Sequence, residues 1–143
     1  MQGHIRESVD KAVLAPAPGR AVLLVEDDPD VLSAVQAALV SAGYKVLSAY
    51  DADEALSMLR SGTKPDLLFA DVVLPGSMNG VELGREARRM YPTMPVLLTS
   101  GYSIDVLTRH GGQREFEILA KPYRYSALLA RLAELTLIAQ KAA

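Results

Sequence analysis

Cysteine is absent from all 143 residues, which removes disulfides, zinc–thiolate sites and thiol nucleophiles from consideration. No apolar run approaches the ~20 residues that a membrane-spanning helix needs. The N-terminus lacks the apolar core of a secretory signal. Neither sign of charge dominates: the formal net charge is −2, and without a basic stripe direct binding to nucleic acid is not expected. No internal repeat or low-complexity tract is visible. The expectation is a soluble, cytoplasmic domain with no membrane contact.

What is present is globular. Half of the residues are hydrophobic and 22% are charged, and the length suits a single domain with a sizeable core. Residues 1–20 differ from the rest. They mix charges with alanine and proline, and Ala15-Pro16-Ala17-Pro18-Gly19 is rich in breakers, so this stretch is expected to be a mobile leader or linker, with a short helix over Ile5 to Leu14 as the other reading.

From Ala21 to about residue 139, strand and helix patterns alternate. Strands are expected at Val22–Val25, Lys45–Ala49, Leu67–Ala70, Pro95–Thr99 and Phe116–Ala120. The first helix starts at Asp28-Pro29, a cap followed by proline at the first helical position, with Val31, Leu32, Val35, Ala38 and Leu39 inward and Gly43 at its end. Asp51 to Glu54 resembles a capping box for a second helix that buries Ala55, Leu56 and Leu59. Asn79 with Glu82 caps a third helix facing inward through Leu83, Ala87 and Met90. A short fourth helix is expected at Ser103–Arg109, closed by Gly111-Gly112. The last should run from about Tyr123 to Ile138, with Leu128, Leu129, Leu132 and Leu135 inward. Such βα units with short connections predict a parallel sheet covered by helices on both faces.

Two apolar runs end in acids: Val22-Leu23-Leu24-Val25 in Glu26-Asp27-Asp28, and Leu67-Leu68-Phe69-Ala70 in Asp71. Buried parallel strands would deliver these carboxylates to the C-terminal edge of the sheet, where ligands of open α/β sheets bind. Crowded carboxylates call for a cation, and a hard divalent ion such as Mg²⁺ takes oxygen ligands together with substrate phosphate. Thr99-Ser100 and Lys121 end two further strands. Taken singly, these residues have plainer uses. Asp28 is explained fully as a cap, Asp71 as a turn former, Ser100-Gly101 as a turn and Lys121 as a surface lysine. His4 and His110 read as solvated.

Together they resemble a known family. VLLVEDDP, DLLFADVVLPGSMNGVEL, PVLLTSGY and LAKPY, in this order and spacing, are similar to a two-component response-regulator receiver domain, over about Ala21 to Ile138. The resemblance implies a flavodoxin-like, doubly wound five-stranded parallel sheet in the order 2-1-3-4-5 with five helices. It makes Asp71 the phosphoacceptor for a phosphoryl group from a phosphohistidine. It further implies Mg²⁺ held by Asp27, Asp71 and the Val73 backbone carbonyl, with Glu26 acting through water. Lys121 and Ser100, rather than Thr99, would contact the phosphoryl group, and Lys121-Pro122 would be cis. The implied partners are a sensor histidine kinase or histidine phosphotransfer protein, docking around the crevice and the first helix, and a protein output partner. The face formed by the fourth helix, fifth strand and last helix could serve output or a homodimer. Such a domain catalyses its own phosphorylation and dephosphorylation and turns over no outside substrate.

Three departures qualify the match. The loop Gly76-Ser77-Met78-Asn79-Gly80 is one residue longer than in most receivers and is similar to those of hybrid histidine kinases. Ile118 stands where the family commonly has an aromatic switch residue, which favours an alternative: a pseudo-receiver that docks partners without phosphate. Val73 and Tyr102 should shield an acyl phosphate from water. Two other classes fit poorly. A haloacid-dehalogenase-like phosphatase would want an acid at Val73, and the acidic first turn would repel a nucleotide or flavin phosphate.

Overall fold

The computed structural model describes residues 19–101 and 115–142. Five strands form one parallel sheet: β1 (Ala21–Val25), β2 (Lys45–Ala49), β3 (Leu67–Asp71), β4 (Val96–Ser100) and β5 (Glu117–Ala120), in the order β2-β1-β3-β4-β5. Four helices are described: α1 (Pro29–Ser41), α2 (Ala52–Arg60), α3 (Gly80–Met90) and α4 (Tyr125–Ala142). The expected helix at Ser103–Arg109, the leader before Gly19, Tyr102, His4 and His110 lie outside the described residues.

The alternation of side chains along each strand decides the two-sided architecture. Leu23, Val25, Leu68, Ala70, Val96 and Leu98 pack with Ala55, Leu56 and Leu59 of α2 and Leu83 and Ala87 of α3. Val22, Leu24, Leu67, Phe69 and Leu97 face the other way, onto Val35 and Leu39 of α1 and Leu128 and Leu132 of α4. β3 and β4 are buried along their whole length, as strands covered on both faces must be. The sheet is therefore doubly wound, and the first break in its order falls between β1 and β3, which lie side by side. A crevice opens beyond the carboxyl ends of strands at such a switch point.

Helix starts follow the local chemistry. Asp28 Oδ1 accepts the amides of Asp30 (2.9 Å) and Val31 (3.3 Å), and Pro29 stands first in α1. Asn79 and Glu82 form a complete capping box at α3, with reciprocal bonds of 2.9 and 3.0 Å. Asp51 accepts the Glu54 amide at 2.8 Å.

Several boundaries differ from the sequence expectation. β4 runs from Val96 to Ser100 rather than Pro95 to Thr99, since Pro95 has no amide to give and contributes only its carbonyl, to Leu68 N–H at 3.0 Å. β5 begins at Glu117, because Phe116 leaves the ladder to pack on α3. α4 starts at Tyr125, two residues late, and continues to Ala142. Val31, expected inward, is exposed. Together with Ala34, Val35, Pro122, Tyr123 and Tyr125 it lines an open groove of ≈ 550 Å³ beside Lys121.

Candidate functional site

Asp71 is the last residue of β3 and its side chain is held at both oxygens. The Val73 N–H donates to Oδ1 at 3.0 Å, and Lys121 Nζ donates to Oδ2. Asp71 is only 8% exposed, so this carboxylate has few positions open to it. Its strand end is fixed too: Val72 N–H donates to the Thr99 carbonyl at 2.9 Å, and Lys121 N–H to the Ser100 carbonyl at 2.9 Å. The ends of β3, β4 and β5 are thus stitched together around one carboxylate.

The β1 end supplies the other acids. Glu26 is buried, at 7% exposure, with its amide on the Ala49 carbonyl and its Oε2 accepting the Asp28 N–H at 3.1 Å. Burial raises the Glu26 carboxyl above its ordinary pKa; the Asp28 amide and Lys121 charge oppose this, while Asp27 and the negative charge of Asp71 reinforce it. Asp27 is half-buried beside it. Lys121 feels all three acids. Burial pulls its ammonium down, but the bond to Asp71 and the charges of Asp71, Glu26 and Asp27 outweigh that and leave its pKa raised. Tyr123 borders the same group: burial first, then the charges of Glu26, Tyr125 and Asp71, push its phenol up to about 12. Its ring meets Phe69 edge-on at 6.1 Å.

The sequence-derived residues therefore converge. Glu26, Asp27, Asp71 and Lys121 form one electrostatic cluster at the C-terminal edge of the sheet. Ser100 is buried at the end of β4, one residue beyond Thr99, which lies in register with Asp71. The Thr99 hydroxyl is committed elsewhere, to the Leu119 carbonyl at 2.8 Å. Asp28 serves as the α1 cap. The Lys121-Pro122 bond is cis. Ile118 is half-buried against the core shared with α2 and α3, and Phe116 belongs to the same cluster.

Two contributions carry no separate mark in the sequence. Val73 is expected to act through its carbonyl and its shielding side chain; its N–H also holds Asp71, and a backbone donor leaves no mark in a sequence. Tyr123 stands in the LAKPY segment and at the expected start of the last helix, and neither places its phenol beside the acids.

A metal would find hard oxygen donors here and no sulfur. Among the described residues, no three acidic or imidazole side chains converge closely enough to cage an ion by themselves. That pattern fits a cation held by one or two carboxylates, backbone carbonyl, water and phosphate oxygens better than a dedicated protein cage. No described helix is long and apolar enough to cross a membrane.

Comparison with known proteins places this arrangement. The family model for the response regulator receiver domain matches residues 22–133. The chain is 32% identical over 110 residues to the nitrogen assimilation regulatory protein NtrX of Azorhizobium caulinodans, covering 76% of this chain and 24% of that protein. It is 35% identical over 116 residues to the sensor kinase CckA of Brucella abortus, covering 80% and 12%. The chain thus spans a quarter or less of the length of these relatives. Among solved structures, a response regulator receiver protein from Sinorhizobium medicae aligns with a TM-score of 0.78 at 26% identity, over 85% of this chain and 97% of that one.

Proposed function

This chain belongs to the response regulator receiver family, and on that premise we propose that Asp71 accepts a phosphoryl group from a phosphohistidine on a partner protein. The observation that carries the proposal is the double hold on the Asp71 carboxylate, by the Val73 amide on one oxygen and Lys121 on the other, inside a cluster of buried acid. An Asp71 oxygen attacks phosphorus, the P–N bond to the imidazole breaks, and the imidazole keeps the electron pair and takes up a proton. The product is an acyl phosphate on Asp71.

Mg²⁺ is the cofactor this donor set suits, with Asp27, Asp71 and the Val73 carbonyl as ligands and Glu26 acting through water; when bound it would neutralise charge on the transferring phosphoryl oxygens. Lys121 stays protonated and serves as a point charge for a phosphoryl oxygen once Asp71 no longer carries its own full charge. Ser100, at the end of β4, supplies the hydroxyl that would close on the phosphoryl group and carry the change to the surface. The groove lined by Val31, Ala34 and Tyr123 opens beside Lys121 and suits an apolar helix presenting the phosphohistidine.

The domain would then act on itself alone, charging and discharging Asp71 without turnover of an outside substrate. Its place in a longer protein of the hybrid-kinase type is supported by the similarity to CckA and by the long loop at Gly76–Gly80. Ile118 favours a second reading, a docking module indifferent to phosphate. Intact mass after incubation with acetyl phosphate, with and without Mg²⁺, separates the two. A receiver gains one phosphoryl group only with the metal, and a docking module gains none.

A further inference from the structure

Gly80, the first residue of α3, lies against the backbone that leaves β3. Its amide donates to the Val72 carbonyl at 2.8 Å, so the loop that follows Asp71 departs and returns at one point. Its φ is not in the left-handed region that favours glycine. The requirement at Gly80 is for room. A Cβ there would sit 2.9 Å from the Asp71 carbonyl carbon and 3.0 Å from Val72 Cα, and closer still to the Asp71 carbonyl oxygen. All three are backbone atoms, so no side-chain rotation relieves the clash. Nor is the strand end free to retreat, since Val72 N–H is tied to Thr99 on the far side.

Gly84, one turn further along α3, is a contrast within the same helix. The three atoms nearest to a Cβ there all belong to the Phe116 ring, at 3.0–3.3 Å, and a side chain can give way by a few tenths of an ångström.

We propose that Gly80 is a positioning residue for the chemistry at Asp71. Its missing side chain lets α3 seat against the Asp71–Val72 peptide, which fixes the Val73 amide that in turn holds Asp71 Oδ1. The circuit is closed: the Val73 N–H belongs to the Val72–Val73 peptide, whose carbonyl accepts the Gly80 N–H, so the backbone that leaves Asp71 sets the donor that orients the Asp71 side chain. A wedge at Gly80 moves the peptide, and the carboxylate loses one of its two holds. The proposal rests on Asp71 being the phosphoacceptor.

The test compares Gly80→Ala with Gly84→Ala in the full chain, at a temperature where circular dichroism shows both folded. Two readouts are taken: the rate of phosphoryl uptake from phosphoramidate at saturating Mg²⁺, and hydrogen exchange at the Val73 amide. Gly80→Ala should slow uptake roughly ten- to hundredfold, the scale expected for ångström-level misplacement of a reacting group, and should lose the Val73 protection. Gly84→Ala should keep both near wild type. A wild-type rate and protected amide in Gly80→Ala, or equal losses in both variants, would overturn the proposal. If the wild type takes up no phosphoryl group, the phosphoacceptor reading fails, and the amide comparison alone decides the positioning role. If Gly80→Ala folds under no condition, the wild type is compared with Asp71→Ala. Val73 protection that vanishes with the carboxylate supports the circuit, and an unprotected Val73 in the wild type overturns it.

Discussion

Lys121 Nζ bonds Asp71 Oδ2 across 50 residues of sequence, joining the ends of β5 and β3, two strands that are not neighbours but flank β4. The lysine is thus the local counter-ion for Asp71 and for Glu26 and Asp27, which follow β1. It is also the group that a divalent cation would have to share those carboxylates with.

Replacing it should separate binding from reaction. In Lys121→Ala the acids lose their competing cation, so Mg²⁺ should bind more tightly by calorimetry. Phosphoryl uptake should nevertheless fall by about 10²-fold, the usual loss when one charge-stabilising donor is removed. Weaker Mg²⁺ binding with an unchanged rate would mean that the lysine holds the fold rather than the phosphoryl group.

Glu26 should make the opposite trade. Its folded pKa is raised, so its contribution to stability is present below the ordinary value of 4.5 and is lost as pH rises through the folded value. At neutral pH the buried charge therefore opposes folding. Glu26→Gln should melt higher than wild type at pH 7, with the advantage disappearing below pH 4.5, while Mg²⁺ affinity falls. Melting curves at two pH values check the sign; equal curves at pH 7 would contradict it.

Tyr44 lies in the core away from the site. Among the described residues its hydroxyl is buried without a hydrogen-bond partner, and burial pushes its pKa up to about 12, the Arg20 charge opposing. A raised phenol is stabilising below pH 10 and loses that contribution as pH climbs through 12. Tyr44→Phe removes an unsatisfied polar atom without changing shape, and should stabilise by roughly 0.5–1.5 kcal/mol in urea titrations. A loss of stability would reveal a partner for the hydroxyl.

Asn79 closes the box at the start of α3, the helix that bears on Asp71. Asn79→Ala should cost about 1 kcal/mol of unfolding free energy. Its phosphoryl uptake should stay near wild type at low temperature, since Gly80 keeps its room.

Val73 is half-exposed beside the phosphoacceptor, an apolar side chain where water must approach. Val73→Asn should shorten the lifetime of the acyl phosphate several-fold in Mg²⁺, followed by intact mass over time. An unchanged lifetime would show that Val73 does not shield the bond.

Much of this was legible from residues that announce themselves. A buried strand such as Leu67–Ala70 ending in Asp71, the cap at Asp28-Pro29 and the box at Asn79–Glu82 are local patterns with local causes, and each formed as expected. The convergence of Glu26, Asp27, Asp71 and Lys121 follows from which strand ends share one edge. What escaped depends on approach in space. Val31 has the spacing of a core residue but lies exposed in a groove, because periodicity gives a helix face and not what covers it. The room needed at Gly80 belongs to a backbone nine residues back in the chain, and the Val73 amide would be there in any residue but proline. Phe116 reads as a strand residue, but the space left by Gly84 draws its ring onto α3.

The most direct test of Asp71 as phosphoacceptor is chemical trapping. The chain is charged with acetyl phosphate and Mg²⁺, reduced with borohydride, digested and mapped by mass spectrometry. An acyl phosphate on Asp71 is converted to homoserine at that one position, and Asp71→Asn yields none. Homoserine at Glu26 or Asp27 is not possible for the first and would misassign the acceptor for the second; reduction at Asp27, or none anywhere in a chain that has gained mass, would contradict the assignment.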